Sequence, residues 1–208
     1  MRIGIVSDIH CNAAGLELAL RRMGDVDTLL CAGDAVFEYR FSNEVIEILR
    51  EREALYVLGN HEHVLLDPRG IRAREAPQVR ADNLAYMASR PNTIEFDVDG
   101  KHLLMTHGSP IPPHSQYVYP GSPDLRPIAA VEADFVILGH THVQMAVRVG
   151  RALVINPGST GDARDHNNGR KLSYAVLDTS TDEVLVDNFD LGDSDRQDLV
   201  APTGGPRR

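Results

Sequence analysis

DFVILGHTH, residues 134–142, sets an apolar run against two imidazoles. Val136, Ile137 and Leu138 have the length and branching of a buried strand. Gly139 then turns the chain, and His140 and His142 follow with one small residue between them. A buried strand that ends in polar side chains is how open α/β sheets present a site, because ligands gather beyond the carboxyl ends of the strands.

The same rule is used repeatedly. RIGIVSDIH (2–10), DTLLCAGD (27–34), ALYVLGNHEH (54–63), KHLLMTHGS (101–109) and ALVINPGST (152–160) each run apolar and then small and polar. Helical spacing fills gaps between them. Leu16, Ala19, Leu20 and Met23 mark a helix over 12–23; Val45, Ile46, Ile48 and Leu49 mark one over 42–52, capped by Ser42 or Asn43; Val79, Leu84 and Met87 mark one over 77–89. The second half changes character. Strand patterns at 92–98, 101–106, 146–149, 152–155, 173–177 and 183–188 include pairs joined by the tight links Asp99-Gly100 and Gly150-Arg151, which predict hairpins. Strands alternating with helices, followed by antiparallel pairing, predict an α/β fold of two packed sheets with helices outside.

The chain has 208 residues, the size of one domain with a sizeable core. A single domain over 1–190 is expected, with an Asp-, Gly- and Pro-rich tail over 191–208. The net charge of −9 argues against a broad basic face for duplex nucleic acid, but leaves room for a small phosphoester or nucleotide, which answers to local charge. Cys11 and Cys31 are too few for a disulfide framework. Ile3–Val6 reaches Asp8 at once, with no signal-peptide core, and no apolar run approaches the ~18 residues of a membrane span. The expectation is a cytoplasmic protein with no membrane partner.

The strand-end residues are Asp8, His10, Asp34, Asn60, His61, His107, His140 and His142. Carboxylate, imidazole and amide oxygen make a mixed N/O donor set, suited to Mn²⁺, Fe, Ni²⁺ or Zn²⁺ and unlike a closed thiolate site. Singly, each fragment also fits a plainer reading. Asp8 serves equally as an N-cap, Gly33-Asp34 and Gly59-Asn60 as turn dipeptides, and His107 as a satisfied strand exit. Their joint appearance, in order and each after an apolar run, is what the plain readings do not absorb.

That order (Asp8-x-His10, Gly33-Asp34, Gly59-Asn60-His61-Glu62, His107-Gly108, Gly139-His140-x-His142) resembles the calcineurin-like metallophosphoesterase superfamily. Asn156-Pro157-Gly158-Ser159 resembles its small bacterial and archaeal phosphodiesterase branch. The resemblance implies a four-layer α/β/β/α fold, two packed mixed β-sheets flanked by helices. It implies two divalent ions, one held by Asp8, His10 and His142, the other by Asn60, His107 and His140, with Asp34 bridging. His61 would then stand beside the scissile phosphate as the catalytic residue. A water shared by both ions would lose its proton far below its bulk pKa of ~15.7 and attack phosphorus. The activity implied is phosphodiester, or phosphomonoester, hydrolysis. Alternatives on the same chemistry are a dinucleoside-polyphosphate or oligonucleotide hydrolase, and on the same fold a non-catalytic protein-binding scaffold.

The chain departs from the protein-phosphatase branch in one place. There a second Asp, three residues after the Gly-Asp motif, orients the catalytic His; here that position is Phe37, with Glu38 adjacent. Minor candidates are open to two readings. His63 is second to the ligands or exposed, and Cys11 is a packed small residue or a site of oxidation. Arg69, Arg72, Arg74 and Arg80 make a solvated helix face or a rim for a second phosphate. Six prolines and His114, Tyr117 and Tyr119 fill the loop 108–127, where Tyr117 is a candidate for stacking on substrate. Arg164, in the polar loop 162–171, is a candidate phosphate contact.

Overall fold

The computed structural model describes residues 1–192. The tail expected over 191–208 therefore lies, from residue 193, outside the described residues. Ten strands form two five-stranded sheets. The first contains β1 (Arg2–Val6), β2 (Thr28–Cys31), β3 (Leu55–Tyr56), β9 (Leu172–Asp178) and β10 (Glu183–Phe189) in the order β10-β9-β1-β2-β3. The second contains β4 (Thr93–Val98), β5 (Lys101–Thr106), β6 (Phe135–Ile137), β7 (Met145–Val149) and β8 (Ala152–Asn156) in the order β4-β5-β6-β8-β7. Both sheets are mixed. β1, β2 and β3 run parallel, as do β5, β6 and β8, while the remaining pairs are antiparallel.

Side-chain alternation explains the layering. Ile3 and Ile5 of β1, Leu30 of β2 and Leu177 of β9 meet Leu103, Met105, Phe135, Ile137 and Ile155 of the second sheet in one core. The alternate residues Leu29, Cys31 and Tyr56 face the other way, onto α1 (Ala13–Met23) and α2 (Asn43–Glu51). Val136, Leu138 and Val154 turn out from the second sheet onto Leu125 and Ile128. These belong to a 3₁₀ segment, Pro123–Ala130, which covers that sheet's outer face. The run around Val136 is therefore apolar throughout because both its faces are covered, the pattern of a buried parallel strand. The structure has the two mixed, helix-flanked sheets that the sequence predicts.

Local chemistry sets the element ends. Asn12 and Ser42 cap α1 and α2, accepting from the N–H of Gly15 (2.9 Å) and Val45 (3.2 Å). Asp99 and Gly100 both take positive φ (49° and 75°), the backbone of a tight hairpin between β4 and β5. Three expectations need correction. Asn60 is not in a turn but opens a helix, α3 (Asn60–Leu66), after a strand of two residues. The helix expected over 77–89 is shorter, with α4 (Ile71–Arg74) before it and α5 at Ala81–Ala88. Arg69, Arg72, Arg74 and Arg80 consequently share no helix face. Arg69 pairs with Asp67, Arg74 binds the carbonyls of Leu65 and Asp67, and Arg80 pairs with Glu47.

Phe135 is fully buried between the sheets. Phe135→Ala should cost about 3–5 kcal/mol in urea denaturation; a loss below ~1 kcal/mol would contradict the two-sheet core.

Candidate metal centre

The carboxyl ends of β1, β2, β3, β5 and β6 converge at one edge of the two sheets. The loops after β1 and β2 continue to pair, through Asp8 N–H to Gly33 O (3.0 Å), His10 N–H to Asp34 O (3.0 Å) and Cys11 N–H to Ala35 O (2.9 Å). The second sheet joins them through Gly139 N–H to His107 O (2.9 Å) and His140 N–H to Asp8 Oδ2 (3.0 Å). Close approach demands glycine here. A Cβ at Gly139 would overlap Ser7 Oγ, and one at Gly59 would overlap Asp34 Oδ1.

The polar side chains fall into groups. Asp8, His10 and His142 have ligand atoms within 4.8 Å of one another, as do Asp34, His107 and His140; Asp34 also groups with His10 and His61. Asn60 joins the second group, its Oδ1 lying 3.0 Å from His107 Nε2. His140 and His142 thus fall in different groups, and Asp34 joins His107 and His140 in one and His10 and His61 in another. The carboxylate faces them through one oxygen. Its Oδ1 accepts the His61 N–H at the start of α3 (2.9 Å), and its Oδ2 lies 3.2 Å from His107 Nε2.

Hydrogen bonds fix where the lone pairs point. His107 Nδ1–H donates to Ala32 O (2.7 Å) and His142 Nδ1–H to Asp162 O (2.7 Å), so both neutral rings turn a bare Nε2 inward. His140 Nε2–H donates to Ser115 O (3.1 Å) and leaves its Nδ1 bare. His10 Nε2 and His142 Nε2 face each other at 3.0 Å. Asp8 Oδ2 is held by Ser7 Oγ–H (2.7 Å) and the His140 N–H, while its buried Oδ1 has no hydrogen-bond partner. In neutral form, His107 Nε2 faces Asn60 Oδ1 and Asp34 Oδ2, and His142 Nε2 faces Asp8 Oδ1, so each group gathers acceptors that a proton or a metal cation satisfies. The donor set fits a divalent transition metal.

The electrostatics agree. Burial opposes ionisation of Asp8 and Asp34, yet the imidazoles around them hold both pKa values below the usual carboxylate range. Burial also opposes protonation of His107, but Asp34 and Asp8 push it up to about 10. Burial keeps His10 and His140 neutral, with pKa values down to about 4. The field is thus negative around Asp34 and two imidazoles remain free to ligate. The backbone is strained at the same places, with positive φ at Asp8 (52°), His10 (49°), Asp34 (54°), His140 (70°) and His142 (59°). Non-glycine residues pay ~1–3 kcal/mol each for that conformation, and it clusters at functional sites.

Three residues gain roles that their sequence positions did not disclose. Glu38 turns toward His61: its N–H donates to His61 Nδ1 (3.2 Å), and its Oε2 lies 3.4 Å from the same nitrogen. In the neutral ring the proton is then on Nε2, 3.7 Å from Asp34 Oδ2. Phe37 packs against the rings of His10 (4.5 Å) and His61 (5.2 Å), which also meet each other edge-on at 4.7 Å. Glu62, fully buried, accepts from the N–H groups of Asp34 (3.0 Å), Val36 (3.2 Å) and Gly59 (2.8 Å) and from Tyr56 Oη (2.7 Å). Burial and Asp34 push its pKa up to about 7, while those donors oppose the rise. The sequence marked it only as the last residue of the Gly59-Asn60-His61-Glu62 motif; the structure puts it at the third position of α3, where a glutamate reaches back to the helix start.

The remaining candidates sit at the margin. Tyr117 stacks on His140 with centroids 3.7 Å apart and is 48% exposed, so one of its faces is covered by that imidazole. Arg164 pairs with Asp162, whose carbonyl holds His142. His63 is exposed, and Cys11 Sγ packs against Arg40 O (3.2 Å) and Phe37 N (3.4 Å). Arg40 is committed to His10 O (2.9 Å).

A two-sheet α/β protein with clustered carboxylate and imidazole donors at the strand ends is the architecture of a metallophosphoesterase. The family model for the calcineurin-like phosphoesterase superfamily domain matches residues 1–182, and the chain belongs to that superfamily. It is 26% identical over 212 residues to the uncharacterized protein MJ0912 of Methanocaldococcus jannaschii, covering 88% of this chain and 85% of that one. The crystal structure of a metallophosphoesterase from Sphaerobacter thermophilus superposes with a TM-score of 0.74 at 27% identity, over 97% of this chain and 95% of that one. A structure described as a novel archaeal phosphodiesterase shares the fold, with a TM-score of 0.59 at 24% identity over 91% and 100% of the two chains. Among the described residues no helix is long and apolar enough to cross a membrane.

Glu62→Ala would leave four buried donors without an acceptor, at ~1–3 kcal/mol each. Urea denaturation should show a loss of at least about 3 kcal/mol; a change under ~1 kcal/mol would remove Glu62 as the brace of the site.

Proposed function

We propose that this chain is a metal-dependent phosphoesterase that prefers phosphodiesters and works with two divalent transition-metal ions. The observation that carries the reading is the clustering of buried carboxylate, imidazole and amide donors into adjoining groups that share Asp34, next to His61, whose Nε2 lies 3.7 Å from Asp34 Oδ2. Asp8, His10 and His142 would hold one ion, Asn60, His107 and His140 the other, with Asp34 Oδ2 shared. When bound, such a pair supplies Lewis acidity and a nucleophile at neutral pH.

The chain's own groups do the rest. Glu38 N–H holds His61 as the Nε2–H tautomer, so Nε2 donates toward the phosphoryl oxygens or the leaving oxygen, a contribution worth ~10²–10⁴-fold. Phe37 and Tyr117 wall the imidazoles on two sides and limit water there. The resemblance of Asn156-Pro157-Gly158-Ser159 to the phosphodiesterase branch favours a diester over a monoester. The net charge of −9 further favours a small phosphoester or nucleotide over duplex nucleic acid. Arg164 and Tyr117, at the rim, are the proposed substrate contacts.

Protein loaded with Mn²⁺, Ni²⁺ or Fe²⁺ should hydrolyse bis(p-nitrophenyl) phosphate faster than p-nitrophenyl phosphate. No turnover of either, or of a nucleotide panel, counts against the proposal. Two variants separate the roles. His61→Ala should lower kcat ~10²-fold or more with metal content unchanged, whereas Asp34→Ala should lose metal. Glu38→Ala keeps its backbone donor and should cost less than His61→Ala, about tenfold in kcat, with KM unchanged. Equal metal loss in the His61 and Asp34 variants would overturn the assignment.

A further inference from the structure

A cavity of about 380 Å³ opens beside the second group of donors, lined in part by Asn60, His107 and His140. It lies at the small end of ligand clefts, ~300–1,000 Å³. Its floor includes Leu58 and Thr106, both buried. Its rim carries His63, Asn92, Thr93 and Ser115. All four are exposed, and among the described residues their side chains make no hydrogen bond. The lining contains no Lys, Arg, Asp or Glu.

Each property narrows the occupant. The shared wall with Asn60, His107 and His140 means that a phosphoester held at the proposed metal pair has one of its arms pointing into this cavity. The absence of cations disfavours a second phosphate, and the absence of carboxylates disfavours an amine. An apolar floor favours a ring face, and an amide, two hydroxyls and an imidazole with free hydrogen-bonding capacity favour a ring edge with donors and acceptors. A plain aryl group would leave that rim unpaired, at a cost. A neutral heterocycle on its sugar satisfies both floor and rim.

The geometry points to a nucleoside subsite: the cavity between the ends of β3 and β5 and residues 92–93 takes the nucleoside arm of the substrate. This rests on the proposed phosphoesterase reading and gives it a substrate class, nucleotide esters.

Calorimetry on the Mn²⁺-loaded protein tests it with three probes that share one phosphate charge: thymidine 5′-monophosphate, phenyl phosphate and methyl phosphate. Thymidine monophosphate should bind at least about tenfold more tightly than either of the others. Thr93→Trp, at an exposed strand end, should fill the mouth and bring all three affinities together without lowering the melting temperature. Asn92→Ala should weaken thymidine monophosphate alone, by about threefold or more. Equal binding of the three probes by the unaltered protein, binding of none, or a nucleoside preference that survives Thr93→Trp would overturn the subsite. The affinity ratio is read without turnover, so a protein that fails on bis(p-nitrophenyl) phosphate but keeps the ratio would lose the proposed activity and retain the subsite.

Discussion

The carboxylate of Asp8 is the point on which the two halves of the protein meet. It stands at the end of β1 in the first sheet, with no exposed surface, and accepts the backbone N–H of His140 from the second. A buried carboxylate is costly unless it is paired. One oxygen is paid for by Ser7 and His140; the other is bare and faces His142 Nε2 at 3.3 Å. Packing of Ile5 against the second-sheet residues Met105 and Ile137 brings the strand ends together, and that proximity concentrates the acceptors. The hydrophobic core and the polar basin are thus two consequences of one arrangement of strands.

Holding the basin open has a conformational cost. Five of the proposed ligands sit in the left-handed region, which in isolation each would leave. The surroundings over-determine them. Ser159 Oγ–H donates to Asp8 O (2.7 Å), and Asn156 Nδ2 donates to Gly139 O (2.7 Å) and Thr141 Oγ1 (3.1 Å). Glu62 binds three loop N–H groups at once. The Asn156–Ser159 segment, noticed in the sequence only as a family mark, works as a strap beneath the donor groups.

Most of the architecture was legible because it rests on short periodic signals. Apolar runs of four to six residues, the Asp99-Gly100 and Gly150-Arg151 links and the Ser42 cap all act locally, and the strand and hairpin assignments follow from them. α3 escaped because its N-cap is Gly59, which has no side chain to announce a helix; Glu62 and Asp34 do the capping from a distance. The arginines after it read as one face because their spacing is helical, yet Pro68 and Pro77 interrupt any continuous helix. The candidate donors were readable from the strand ends, and their expected grouping came from the family resemblance. The inward turn of Glu38 was not readable, since it depends on the bridge between Phe37 and Arg40 and on the commitment of Arg40 to His10 O.

The account stands or falls on whether metal ions occupy both groups of carboxylate, imidazole and amide donors. Anomalous diffraction at the manganese edge, from crystals grown with Mn²⁺, reads this directly. Two anomalous peaks are expected, one against Asp8, His10 and His142 and the other against Asn60, His107 and His140, with Asp34 Oδ2 between them. No peak at either group, or a single peak elsewhere on the surface, would contradict it.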